Sequence, residues 1–104
     1  FKECMAMMRK HAALTQEEGF HYLLPRAKEH VSELIAEFET ESDHGLRCWL
    51  MELIGEARSE RAFELLCEYA QSSDESLQDW AIRGLDKLGT KPARTFLFQR
   101  GLNL

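Results

Sequence analysis

Hydrophobic and polar positions along this chain follow helical spacing, and from Val31 onward they also repeat at a constant interval of 31 residues. Val31, Ala62 and Ala93 form one series, Leu34, Leu65 and Phe96 a second, and Ile35, Leu66 and Leu97 a third. Phe38 with Tyr69, Asp43 with Asp74, Leu46 with Leu77, Trp49 with Trp80, and Ile54 with Leu85 keep the same spacing without a gap. Self-similarity at such an interval marks helical units that bury their apolar sides only against their neighbours. The expected architecture is one all-α domain over residues 1–104, a right-handed α-α superhelix of about seven helices. Its units would be a partial one over 1–24, two full ones over 25–55 and 56–86, and an incomplete one over 87–104.

Local signals place the helices. Residues 2–13 carry good helix formers, with Cys4, Met7 or Met8 and His11 or Ala12 at helical spacing, a Met-rich core face. Thr15 with Glu18 has the form of a capping box, which starts a second helix near Gln16 that runs through Phe20, Leu23 and Leu24. Pro25 suits the first turn of a third helix, although one long kinked helix fits the same residues. The third helix has Val31, Leu34, Ile35 and Phe38 on one stripe and Glu29, Glu33 and Glu37 on the other side. Ser42 and Asp43 can cap a fourth helix that ends at Gly55, and Ser59 a fifth with Glu60, Glu64 and Glu68 outward. Ser73 and Asp74 cap a sixth that Gly89 terminates, and Thr90 with Pro92 opens a seventh. No strand pattern of period two occurs.

The units resemble HEAT-type repeats, especially the short-repeat branch that includes phycobilisome-lyase-like proteins. The resemblance covers residues 25–98 and rests on the inner-helix segments DHGLRCWLMELIG, from Asp43, and DESLQDWAIRGLD, from Asp74. Asp43 and Arg47 match the acid and Arg positions of the family pattern, whereas Gln78 and Asp86 depart from its Arg and Gly. The resemblance implies an interaction scaffold whose inner helices line a binding surface, since fold alone does not fix function. The His-Glu dyads of the iron-dependent hydroxylases built on such repeats are absent from this sequence, because no His here is followed by Glu.

Charge and chemistry narrow the function. Thirteen Lys and Arg against eighteen Asp and Glu leave a net charge of -5, which disfavours nucleic acid as a partner. No apolar run approaches the ~20 residues of a membrane span and no signal sequence opens the chain, so a cytoplasmic protein is expected. Cys4, Cys48 and Cys67 are odd in number and lack CxxC spacing, as reduced thiols would. The first residue, Phe1, suggests a trimmed chain or an interior segment of a longer one.

Positions 31 apart can be written as columns on the inner surface: Glu17, Cys48, Asp79; His21, Glu52, Arg83; and His44, Glu75. They predict a mixed-charge, net acidic groove for a basic or polar segment of a partner protein, and an ordinary solvated helix face gives the same pattern. Glu18 with His21 and Glu41 with His44 have Glu-x-x-His spacing, but the second pair straddles a helix cap, so no metal site is expected. His44 lies one turn before Cys48, yet such an exposed pair lacks an oxyanion hole and an orienting third group. No phosphate loop is present and no cofactor is implied. At the C-terminal end Phe96, Leu97, Phe98, Leu102 and Leu104 predict an exposed apolar patch suited to homodimerisation or a docked partner, or else a folded-back tail.

The expected function is therefore a non-enzymatic protein-protein interaction module, of adaptor, regulatory or immunity type. The expected contact residues are His44, Arg47, Cys48, Glu52, Glu75, Asp79 and Arg83 on the inner surface, with Phe96, Phe98 and Leu102 at the C-terminal end. The alternatives are a bilin-lyase-like or other small-ligand-handling protein and, less favoured, nucleic-acid binding.

Overall fold

A computed structural model describes residues 1–10 and 13–102. His11 and Ala12 of the first predicted stripe and Leu104 of the apolar tail lie outside the described residues. Among the described residues the chain is all-helical, with no strand. None of these helices is long and apolar enough to cross a membrane.

Helix α1 (Lys2–Met8) buries Cys4, Met5 and Met8 against α2 (Ala13–Leu23). Gly19 permits the contact, because a Cβ there would lie 2.7 Å from the Cys4 carbonyl oxygen and 2.9 Å from Met7 Cβ. Thr15 stands inside α2 rather than at its start, so the expected capping box does not form the boundary. Pro25 does not begin an α-helix. It opens a 3-10 segment, Leu24–His30, that carries the chain from α2 into α3 (Val31–Thr40). Proline withholds one backbone donor from the end of α2, and the Arg26 guanidinium donates to the Tyr22 carbonyl at 2.8 Å instead.

Asp43 and Asp74, one interval apart, take equivalent local structure. Asp43 caps α4 (His44–Glu56) by accepting from the Leu46 N–H at 2.9 Å, and Asp74 caps α6 (Glu75–Leu88) by accepting from the Leu77 N–H at 3.1 Å. The Asp43 N–H donates to the Glu41 carboxylate, and the Asp74 N–H donates to the hydroxyl of Ser72, which stands at the position equivalent to Glu41. Ser59 starts a 3-10 turn, Glu60–Ala62, ahead of α5 (Phe63–Tyr69). Thr90 caps α7 (Lys91–Gln99), with Pro92 in its first turn.

Gly55 is not the end of α4. It sits buried inside the helix, and the left-handed residue that closes the turn is Arg58, at φ 49°. Gly89, the left-handed cap of α6 at φ 64°, is its equivalent 31 residues on. A non-glycine side chain in this conformation costs about 1–2 kcal/mol, which the second unit avoids. Gly55 serves a different purpose, since a Cβ on it would lie 3.0 Å from Gly84 Cα. A Cβ on Gly84 would meet Gly55 Cα at 3.0 Å and Leu66 Cδ2 at 2.9 Å. The two glycines mark where α4 and α6 approach closest, and α4 packs more extensively on α6 than on any other helix.

Around this pair, α3 packs on α4 while α5 and α7 pack on α6, and the 3-10 link joins α2 to α4. Phe38, Leu50, Met51, Leu53, Ile54, Ala81 and Leu85 are wholly buried. Phe38 meets Tyr69, its equivalent one unit on, edge to face at 4.9 Å. Trp49 and Trp80 are both half-buried against the core, and the Trp49 ring lies 5.0 Å from Phe20 of α2.

Replacing Gly84 by Ala is expected to destabilise the chain by about 1–3 kcal/mol in urea titrations, despite the better helix propensity of alanine, because backbone faces the new methyl. Arg58→Gly is expected to be neutral or to stabilise by up to about 1 kcal/mol. A Gly84→Ala chain as stable as the parent would show that the two helices have room to spare.

Candidate functional site

The predicted inner-surface residues fall on neighbouring turns of α4 and α6. His44 begins α4, and its Nε2 lies 2.9 Å from Asp74 Oδ2 at the cap of α6. This pair crosses between units at an offset of 30 residues, so Asp74, rather than the predicted Glu75, is the partner of His44. Glu75 is exposed. Asp74 is held below the ordinary carboxylate range, chiefly by the Leu77 N–H and then by His44.

Cys48 lies one turn after His44, with Sγ 3.8 Å from Nε2 and 4.0 Å from Nδ1. Near-equal distances place the sulfur beside the ring rather than in line with one nitrogen lone pair, and Asp74 occupies the same Nε2. A thiol relay needs the nucleophile and the orienting acid on opposite nitrogens. Partial burial, and then the Asp74 charge, also push the Cys48 thiol up, so the thiolate is disfavoured.

Glu52 follows at the next turn. Partial burial raises its carboxyl above the usual range, while Lys87 and His21 act in the opposite sense. Arg83 pairs within its own helix, Nε to Asp79 Oδ2 at 3.0 Å, with both side chains more than half exposed and the guanidinium 5.6 Å from the Trp80 ring. Lys87, one turn beyond the Gly55–Gly84 approach, is brought against α4 instead, where it forms an ion pair with Glu56.

Arg47, the half-buried member of the predicted surface, rests on aromatic rings. Its guanidinium lies 4.1 Å from the Phe38 ring centroid and 5.5 Å from that of Tyr69, and donates to the Tyr69 hydroxyl at 3.0 Å. It joins α4 to α3 and α5, its Nε buried without a hydrogen-bond partner among the described residues, and Asp74 pairs with His44 instead. Gln78, at the matching position of α6, donates to the Ala70 carbonyl at 3.2 Å.

Among the described residues, the C-terminal end is less apolar outside than its composition implies. Ala93 and Leu97 are buried and Phe96 is half-buried beneath Arg100. Leu102 turns back on the helix through Gly101, at φ 66°, with its N–H donating to the Leu97 carbonyl at 2.8 Å and the Gly101 N–H donating to that of Phe98. Phe98 alone of the predicted trio stands out, 79% exposed.

Two clefts were not foreseen. One of about 470 Å³ is lined by Met8, Arg9, Gln16, Glu41, Leu46 and Trp49, and one of about 440 Å³ by Phe1, Glu3, Met7, Glu18 and Tyr22. Arg9 spans the first cleft to Glu37 and Glu41. Residue spacing gives no hint of this contact, because α1 lies outside the repeating stretch. Among the described residues no three His, Cys, Asp or Glu side chains stand where they could hold a metal ion. Glu41 is turned away from His44, accepting from the Ser42 and Asp43 N–H groups and from Arg9.

Comparison with protein-family models, with curated proteins and with solved structures finds no match.

Removing the imidazole with His44→Ala is expected to raise the Asp74 pKa toward 3.8 without reaching it, since the Leu77 N–H still donates. With its folded pKa depressed, Asp74 contributes stability that is full above its unfolded value and is lost as pH falls through the lower folded one. Carbon-detected NMR titration of the carboxyl group checks this, and an Asp74 titration unchanged by the substitution would remove the contact.

Proposed function

We propose that the chain is a short HEAT-like α-α superhelical module that binds another protein, without catalysis, along the face shared by α4 and α6. The observation that carries this is the run of charged side chains on adjacent turns of the two helices. It passes from His44 and Asp74 through Glu52, Glu56 and Lys87, with Glu75, Asp79 and Arg83 beside it. Carboxylates outnumber cations there, which favours a basic or polar segment of a partner and disfavours a polyanion. The equivalent caps Asp43 and Asp74, the equivalent left-handed residues Arg58 and Gly89, and the Phe38–Tyr69 contact support the superhelical part of the proposal. The His44–Cys48 geometry and the raised thiol support the non-catalytic part.

The test is affinity capture from the native source, followed by titration of the captured partner against the chain and against a Glu52→Lys, Asp79→Lys variant. The variant is expected to bind about tenfold or more weakly, since charge reversal sets like charges against a basic segment. Circular dichroism should show its helix content unchanged. Undiminished affinity in the folded variant would take the α4–α6 face out of consideration.

A further inference from the structure

The outer side of α5 carries acids, Glu60 and Glu64, where that of α7 carries bases, Lys91 and Arg94. Ala62 and Ala93 are both fully buried, and Leu66 and Leu97 face the core with 1% and 5% exposure, so the two helices present equivalent faces inward. Their outward faces are equivalent too. Where the α5 side has Glu60, α7 has Lys91, and where α5 has Phe63 and Glu64, α7 has Arg94 and Thr95. Cys67 of α5 corresponds to Phe98, the most exposed large apolar side chain among the described residues. Both helices pack on α6, and the Arg100 charge at the end of α7 acts on the Cys67 thiol of α5. Glu60, Glu64, Lys91 and Arg94 make no ion pair with any described residue, whereas Arg9, Arg83 and Lys87 do.

We propose that this face is an interface between two copies of the chain, with α5 of each copy lying over α7 of the other about a two-fold axis that runs along the helices. Rotation about such an axis preserves height along a helix, and Leu66 and Leu97, 31 residues apart, are buried alike. Glu60 then faces Lys91 of the second copy and Cys67 its Phe98, while Arg94, one residue short of Thr95, the equivalent of Glu64, reaches Glu64 through its long side chain. Each contact occurs twice, as an isologous interface requires. An axis across the helices would set α5 on α5, acid against acid. A uniformly acidic or basic partner would meet like charge on half of the face, which is why a second copy suits it better. Helices of seven and nine residues put the buried area near or below ~1,200 Å², so the association is weak and sensitive to salt. This surface is separate from the α4–α6 face, and either proposal can fail without the other.

Sedimentation equilibrium tests it. At low salt the weight-average mass should climb from 12.1 kDa toward twice that value as concentration approaches about 1 mM, and should fall back in about 0.5 M salt. A Lys91→Glu, Arg94→Glu chain and a Glu60→Lys, Glu64→Lys chain should each associate at least about tenfold more weakly, with unchanged circular dichroism. An equimolar mixture of the two should associate again, because each then offers the other an opposed pair of stripes. A chain that stays monomeric to about 1 mM, a dimer indifferent to both charge reversals, or variants that stay apart when mixed would overturn the proposal.

Discussion

Two hydrogen atoms where side chains would otherwise stand set the geometry of this molecule. With Gly55 and Gly84 facing each other, a Cβ on either would fall 3.0 Å from the other's Cα, so α4 and α6 meet backbone to backbone. That approach brings the start of α6 to the start of α4, where Asp74 reaches His44, and the end of α6 to the end of α4, where Lys87 reaches Glu56. It also leaves Leu66 of α5 so close to Gly84 that the outer helix is fixed by the same contact. Larger residues here would move α6 away from α4 and weaken every cross-unit pair together. Close-packed interiors accommodate such changes poorly.

Helix positions were legible in the sequence wherever a capping residue sits beside an apolar stripe. Asp43, Asp74 and Thr90 announced three helix starts, and Gly89 one helix end. Gly55 misled because a glycine after an apolar run looks the same whether it ends a helix or lets another helix approach. Arg58, the true left-handed residue, belongs to a type that does not advertise that conformation, and only its 31-residue offset from Gly89 could have revealed it. The 3-10 stretch after Leu23 was hidden for a related reason, since Pro25 suits the first turn of either helix type.

Side-chain pairing was harder to foresee than backbone. Columns drawn at the repeat interval put Glu52 between His21 and Arg83; the His21 charge acts on the Glu52 carboxyl, and Arg83 pairs with Asp79. A column sets two residues on neighbouring helices at matching positions without bringing their charges into contact. Lys87 and Glu56, 31 residues apart, do pair across the two helices, whereas Arg83, with its own Asp79 one turn earlier, stays on α6. Arg47 escaped because a cation next to an apolar stripe is read as surface. The planar guanidinium can instead lie on aromatic rings, and Phe38 and Tyr69 supply them from two different units.

Charges that join helices are poorly available to a partner. Arg9 is committed to Glu37 and Glu41, His44 to Asp74, Lys87 to Glu56, and Arg47 to the Tyr69 hydroxyl. What α6 offers beyond these is different in kind, because Glu75 is exposed and the Asp79–Arg83 pair is solvated on its own helix. Exposed pairs of that sort contribute about 0–1 kcal/mol to stability, so they can exchange partners at little cost to the fold. On the α4–α6 face, then, His44, Glu56, Asp74 and Lys87 are occupied in holding the two helices together, while Glu75, Asp79 and Arg83 of α6 take no part in that contact.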